Sequence, residues 1–231
     1  MTSESHYRLK DIFRDLRSEK FAEEMRGNWS TALLCRVPGF FLVWVFVRLR
    51  IGAMAVSLAA LLLAFALPVL AYAVPIGTAG LWVAVTGLVF QVLDCADGTL
   101  ARVTGTTSQA GADVDFLTDM AQWGFLYLAI GILADRTLDA GWGWSAVACA
   151  AAWVRLMART ARDRLDADDG SPPAPISLKN AVPVFLAGIS GLLPFLALSG
   201  PWLGYAVIAL LVYAVLDVLE GLLPLFRTIG R

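Results

Sequence analysis

Six blocks of apolar residues, each about 20 or more residues long, run through this chain, and they restrict its fold more than any other feature. They cover roughly residues 52–73, 78–103, 111–134, 141–164, 179–199 and 202–226. A helix of about 20 residues crosses roughly 30 Å of hydrocarbon. Turn-forming stretches separate the blocks: VPIGTAG (74–80), RTLDAGWG (136–143), DADDGSPPAP (166–175) and LSGP (198–201). The composition agrees. Of 231 residues 58% are hydrophobic and only 16% charged, with a mean hydropathy of +0.70, whereas a soluble domain is about a quarter charged. The expected fold is an all-α integral membrane protein: six transmembrane helices over 51–231, preceded by N-terminal amphipathic interfacial helices over 1–50.

Those N-terminal helices fall in two segments. Residues 7–26 place Leu9, Ile12, Phe13, Leu16 and Phe21 at helical spacing among charges. Residues 31–50 are apolar with basic ends and a break expected at Pro38-Gly39. Both read as helices lying at the membrane surface; a seventh span over 31–50 is the other reading. No cleavable signal peptide is apparent in the polar N-terminus. Seventeen of the 18 Lys and Arg residues fall at the termini and in the even-numbered connections, against Arg136 alone on the other side. The positive-inside rule then expects both termini and the second connection at the cytoplasmic face of the cell membrane. Cys35, Cys95 and Cys149 are too widely spaced for a disulfide framework or a metal cluster.

Against this apolar background, residues 94–119 hold five aspartates. Asp94 and Asp97 share one face near the end of the second span, with Gly98 and Ala101. Asp115 and Asp119 share one face of the first turns of the third span, with Gly111 one turn earlier. A short connection makes these helices antiparallel neighbours, so four carboxylates converge just inside the membrane. Four close carboxylates in a poorly solvated site repel one another, and bound cations relieve that repulsion. All-oxygen ligands suit Mg²⁺, Mn²⁺ or Ca²⁺, and four carboxylates suffice for two ions, as phosphoryl transfer uses them. The small residues leave room for a planar group, and Arg102 offers a cation to a phosphate. Asp113 lies off the stripe and reads as a helix-start residue.

The pattern D94-x₂-D97-G98-x₂-A101-R102-x₈-G111-x₃-D115-x₃-D119 resembles the signature of the CDP-alcohol phosphotransferase (CDP-alcohol phosphatidyltransferase) family, with all eight positions filled. The resemblance implies a homodimeric membrane transferase of phospholipid biosynthesis. Such an enzyme moves a phosphatidyl or other phospho-alcohol group from a CDP-alcohol, here CDP-diacylglycerol, to an acceptor hydroxyl and releases CMP. It implies two Mg²⁺ or Mn²⁺ ions on Asp94, Asp97, Asp115 and Asp119, and Asp119 as the base. It also implies that Gly98, Ala101, Arg102 and Gly111 line the CDP pocket. Membrane lipids are expected partners; nucleic acid is not.

Arg155 and Arg159 fall on one face of the fourth span and are candidates to grip an anionic acceptor or headgroup. Arg162 and Arg164 read as membrane anchors, and Lys179 starts the fifth span nearby. Asp217 and Glu220 read as a structural ion pair with Arg155 or Lys179. Gln91 and Gln122 extend the acidic stripes inward, and His6 has no assigned role. The acceptor is open: glycerol phosphate, inositol phosphate, serine and another lipid all fit, as does a small soluble CDP-alcohol as donor. A divalent-cation transporter is the reading from a different class, and it wants its acids deeper in the membrane.

Overall fold

The computed structural model describes residues 29–169 and 188–229, with side chains over 29–161 and 188–219. It is 92% helical and has no strand among the described residues. Six long helices follow one another: α1 (Trp29–Leu49), α2 (Ala53–Ala73), α3 (Ile76–Thr104), α4 (Gln109–Leu138), α5 (Gly143–Asp169) and α6 (Leu203–Ile229). A 3₁₀ helix, Ile189–Leu198, precedes α6. Five described segments are long and apolar enough to cross a membrane: α1, α2, α3, α4 and Gly200–Leu219. Helix α5 has the length, but Arg155 and Arg159 follow its apolar first turns and its second half is strongly charged. Of the block expected at 179–199, only 188–199 falls among the described residues. The segment 7–26 with His6, and Lys179, lie outside them, as do the side chains of Arg162, Arg164 and Glu220.

The break expected at Pro38-Gly39 does not occur. Helix α1 runs through both residues, and a π-helical turn, Ala32–Arg36, precedes them. Proline lacks an N–H and crowds the carbonyl one turn back. A widened turn just before it accommodates that crowding without ending the helix. Gly39 then serves close packing: a Cβ there would meet the Val92 carbonyl oxygen at 3.3 Å and the Cys95 Cβ at 3.4 Å. Cys35 Sγ donates to Gln91 Oε1 at 3.4 Å. Contacts that advance from 35 against 91 to 39 against 95 make α1 parallel to α3. So 31–50, expected to lie at the surface, is part of a 21-residue helix of spanning length packed lengthwise on the helix that carries Asp94 and Asp97. Its first residues dock on the 3₁₀ helix, where Ser30 Oγ donates to the Gly188 carbonyl and accepts from the Gly191 N–H.

Short, chemically defined turns set the rest. Arg50, left-handed at φ 57°, ends α1 and reverses the chain into α2. Gly105, at φ 67°, closes α3: its N–H bonds the Arg102 carbonyl and the Thr106 N–H bonds the Ala101 carbonyl, the Schellman arrangement that favours glycine. Three residues later Ser108 caps α4 by accepting from the Gly111 N–H at 3.1 Å. The four-residue link forces α3 and α4 to lie side by side and antiparallel. At the opposite end Asp135 caps α5, accepting from the N–H groups of Trp144 and Ser145, each at 2.8 Å. Arg136 donates to the carbonyls of Ala71 and Val74 at the end of α2.

The largest core cluster joins α2, α3, α4, α5 and α6 around Leu67, Val83, Leu126, Tyr127, Ile130 and Leu210. Close helix approach in it depends on glycine. A Cβ at Gly131 would lie 2.7 Å from the Ala148 Cβ and 2.8 Å from the Ser145 Cα. Gly131→Ala therefore pushes α5 off α4. The expected loss is about 1–3 kcal/mol, the range for overpacking, read as a lower unfolding midpoint in detergent.

Candidate active site

Helices α3 and α4 share one antiparallel register. Gly87 faces Leu126, whose Cδ1 lies 3.7 Å from where a Gly87 Cβ would be. The same register sets Gln91 opposite Gln122, Asp94 opposite Asp119, and Asp97 beside Asp115. The carboxylate charges acting on Asp94 are, in order, those of Asp119, Asp97 and Asp115, with Arg159 as the opposing charge. The two stripes of the sequence thus face each other across a single seam.

A cavity of about 470 Å³ opens at the acidic end of this seam. Six of the eight signature residues line it: Asp97, Gly98, Ala101 and Arg102 from α3, and Gly111 and Asp115 from α4. Asp94 and Asp119 sit one turn deeper, below the Asp97–Asp115 level. Gly98 leaves space filled by the Arg102 side chain, whose Nη1 lies 3.4 Å from where a Gly98 Cβ would be. Arg102 Nη2 also donates to Thr99 Oγ1 at 3.0 Å. The guanidinium is thereby folded along its own helix at the cavity wall. Asp113 stays out of the seam: it is exposed and accepts from Gln109 Nε2 at 3.1 Å on the outer face of α4.

Two contributions were not legible as site features in the sequence. Ser57 of α2 lines the cavity, is buried, and donates its hydroxyl to Asp97 Oδ2. It is the sole serine or threonine of Ala53–Ala73, and a lone hydroxyl in an apolar helix was the available signal. The loop residues Thr106, Thr107 and Ser108 form the cavity's outer wall. Arg159, a candidate for the acceptor by its spacing, reaches Asp119 Oδ2 with its Nη2 at 3.4 Å and ties α5 to the deeper carboxylates.

Arg155 lies elsewhere in the bundle. Its guanidinium sits over the rings of Trp123 and Tyr213, each 4.6 Å from centroid, and its Nη1 is 3.3 Å from Asp217 Oδ2. Asp217 thus pairs with Arg155, as one of the two readings of its spacing expected. The pair is largely buried, with side chains 11% and 8% exposed. One turn along α5, Arg159 is 42% exposed. The two arginines share a helix face but not an environment.

The carboxylates carry a mark of missing partners. Asp94 Oδ1 and Asp97 Oδ1 are buried with no hydrogen-bond partner among the described residues. Such oxygens are costly unless something positive meets them. Deeper along the seam, Thr118 Oγ1 and Gln122 Nε2 are buried without partners as well. As placed, no three carboxylate, thiol or imidazole groups among the described residues stand close enough to share one ion.

The family model for CDP-alcohol phosphatidyltransferase matches residues 51–211, more than two thirds of the chain and all of the seam. The chain belongs to the CDP-alcohol phosphatidyltransferase family. It is therefore a membrane transferase of substituted phosphate groups, moving a phosphatidyl group from a CDP-alcohol to an alcohol acceptor. The family generally depends on a divalent metal. No curated protein matches the chain. The matched region begins at Ile51, so α1 lies outside it, although the transferase packs α1 directly against the helix bearing Asp94 and Asp97.

Proposed function

We propose that this transferase uses CDP-diacylglycerol as donor in phospholipid biosynthesis, with two Mg²⁺ or Mn²⁺ ions held by Asp94, Asp97, Asp115 and Asp119. The observation that carries the reading is the cavity itself. Six signature residues line a space of about 470 Å³, with two orphaned carboxylate oxygens, on Asp94 and Asp97, at the seam. An all-oxygen donor set with unmet negative charge fits a hard divalent cation. Because no three ligands yet converge, binding would draw the carboxylates together. Bound there, the ions supply charge neutralisation for the diphosphate and the departing CMP.

The remaining work falls to side chains. Gly98, Ala101 and Gly111 keep the cavity wall low enough for a nucleotide to lie against backbone. Arg102 gives a phosphate a planar cation from the wall. Asp119 takes the proton of the acceptor hydroxyl; it lies deeper than the cavity mouth and is already oriented by Arg159. Release of Arg159 toward an anionic acceptor would free Asp119 for that role. Arg155, assigned to the acceptor by sequence spacing, we place instead as a brace for α5, since Asp217 and two rings occupy its guanidinium. We further propose a cell-membrane enzyme whose site and C-terminus face the cytoplasm, working as a homodimer.

Purified protein in detergent micelles, given CDP-diacylglycerol and Mn²⁺ or Mg²⁺, is expected to release CMP only when an acceptor is present. A panel of glycerol phosphate, inositol phosphate, serine and a lipid alcohol identifies the acceptor. Chelation by EDTA should abolish turnover, and Mn²⁺ should restore it. CMP release from a short soluble CDP-alcohol but none from CDP-diacylglycerol would overturn the lipid donor.

A further inference from the structure

We infer that Ser57 is a positioning residue for metal binding: it holds Asp97 by Oδ2 so that Oδ1 is presented to a divalent cation. The inference rests on the metal reading above and deepens it by adding a third helix, α2, to the site. Three observations support it. Ser57 and Asp97 are 7% and 3% exposed, so their hydrogen bond is shielded from water. Asp97 Oδ1 is buried and has no hydrogen-bond partner among the described residues. Both side chains line the same cavity.

A carboxylate turns about its terminal torsion with little resistance, because that torsion has broad minima. Pinning one oxygen removes the freedom. Ser57 has one hydroxyl proton and two acceptors in reach, Asp97 Oδ2 and the Ala53 carbonyl at 3.3 Å. An ionised carboxylate is the stronger acceptor, so the proton belongs to Asp97. With Oδ2 engaged by a donor, Oδ1 is the oxygen left for a cation. Outer-shell partners of this kind change metal affinity or activity by about 10–100-fold.

The test is Mn²⁺ titration of the intact protein in micelles, following free Mn²⁺ by electron paramagnetic resonance, beside kinetics with CDP-diacylglycerol. Ser57→Ala should weaken Mn²⁺ binding about tenfold, and most of its lost kcat should return at saturating Mn²⁺. Ser57→Thr keeps the hydroxyl, has the cavity beside it for the extra methyl, and should bind within about twofold of wild type, given the same outer-shell contact. Asp97→Asn marks the loss of a direct ligand. Wild-type Mn²⁺ affinity in Ser57→Ala, with affinity lost in Asp97→Asn, overturns the inference while leaving the metal reading intact. Equal losses in the Ala and Thr variants overturn it as well, because the hydroxyl would then not be the cause. A wild-type protein that binds no Mn²⁺ and releases no CMP overturns the metal reading itself, and the inference with it.

Discussion

Asp119→Asn is expected to lower kcat for CMP release by about 10²–10⁴, the contribution of a positioned general base, while the KM for the CDP-alcohol changes little at saturating Mn²⁺. The substitution keeps size and hydrogen-bonding capacity and removes only the basicity and charge. Asp119 sits one turn deeper than the cavity-lining Asp115, opposite Asp94, with Arg159 Nη2 3.4 Å from its Oδ2. Loss of that contact should cost under about 1 kcal/mol, because Arg159 is substantially exposed and the pair is screened by water. The variant should therefore fold normally, and its defect should lie in the chemical step, with kcat and kcat/KM falling together. A kcat within about threefold of wild type would place the base on another group, since general-base loss is far larger.

The second large effect is on stability. Asp217→Leu strips Arg155 of its carboxylate while the guanidinium stays largely buried. Removing one partner of a buried pair costs about 3–5 kcal/mol. The lower end is expected here, because Trp123 and Tyr213 still hold the cation over their faces. The double variant Arg155→Met with Asp217→Leu should recover much of the loss, because well-packed apolar residues replace buried ion pairs at little cost. The measurement is an unfolding midpoint in micelles for the two single variants and the double. A single Asp217→Leu variant as stable as wild type would show that the pair contributes nothing to α5–α6 docking.

The acidic seam was legible because helical geometry is local. Spacings of three and four put Asp94 with Asp97 and Asp115 with Asp119 on single faces whatever surrounds them. Gly105 and Ser108, ending one helix and starting the next, left a link too short for anything but antiparallel neighbours. The apolar blocks were legible for the same reason. Some far ends were less so: α4 runs to Leu138 and α5 to Asp169, four and five residues past the expected 134 and 164, where the final turns are polar and hydropathy gives no signal.

Within segment 31–50, the expected break was misread for a specific reason. Pro38-Gly39 is chemically a break, but a π-helical turn upstream takes up the proline and the glycine is used for packing on Cys95. A pairwise contact between distant segments overruled the local propensity. The arginines show the same limit. Arg155 and Arg159 look alike in sequence, one helical turn apart, yet one is walled in by Trp123, Tyr213 and Asp217 while the other reaches Asp119.

By itself, the sequence determined that this is a helical membrane protein, which residues share each helix face, and that its acids lie beside small residues and an arginine in a family signature. Those are consequences of composition and of a 3.6-residue repeat. Only the tertiary structure decided that α2 supplies Ser57 to Asp97, that α1 covers the back of the acidic helix, and that Asp217 rather than the acidic seam claims Arg155. Each of these joins residues at least 40 positions apart, and no short-range regularity encodes which faces of separate helices meet.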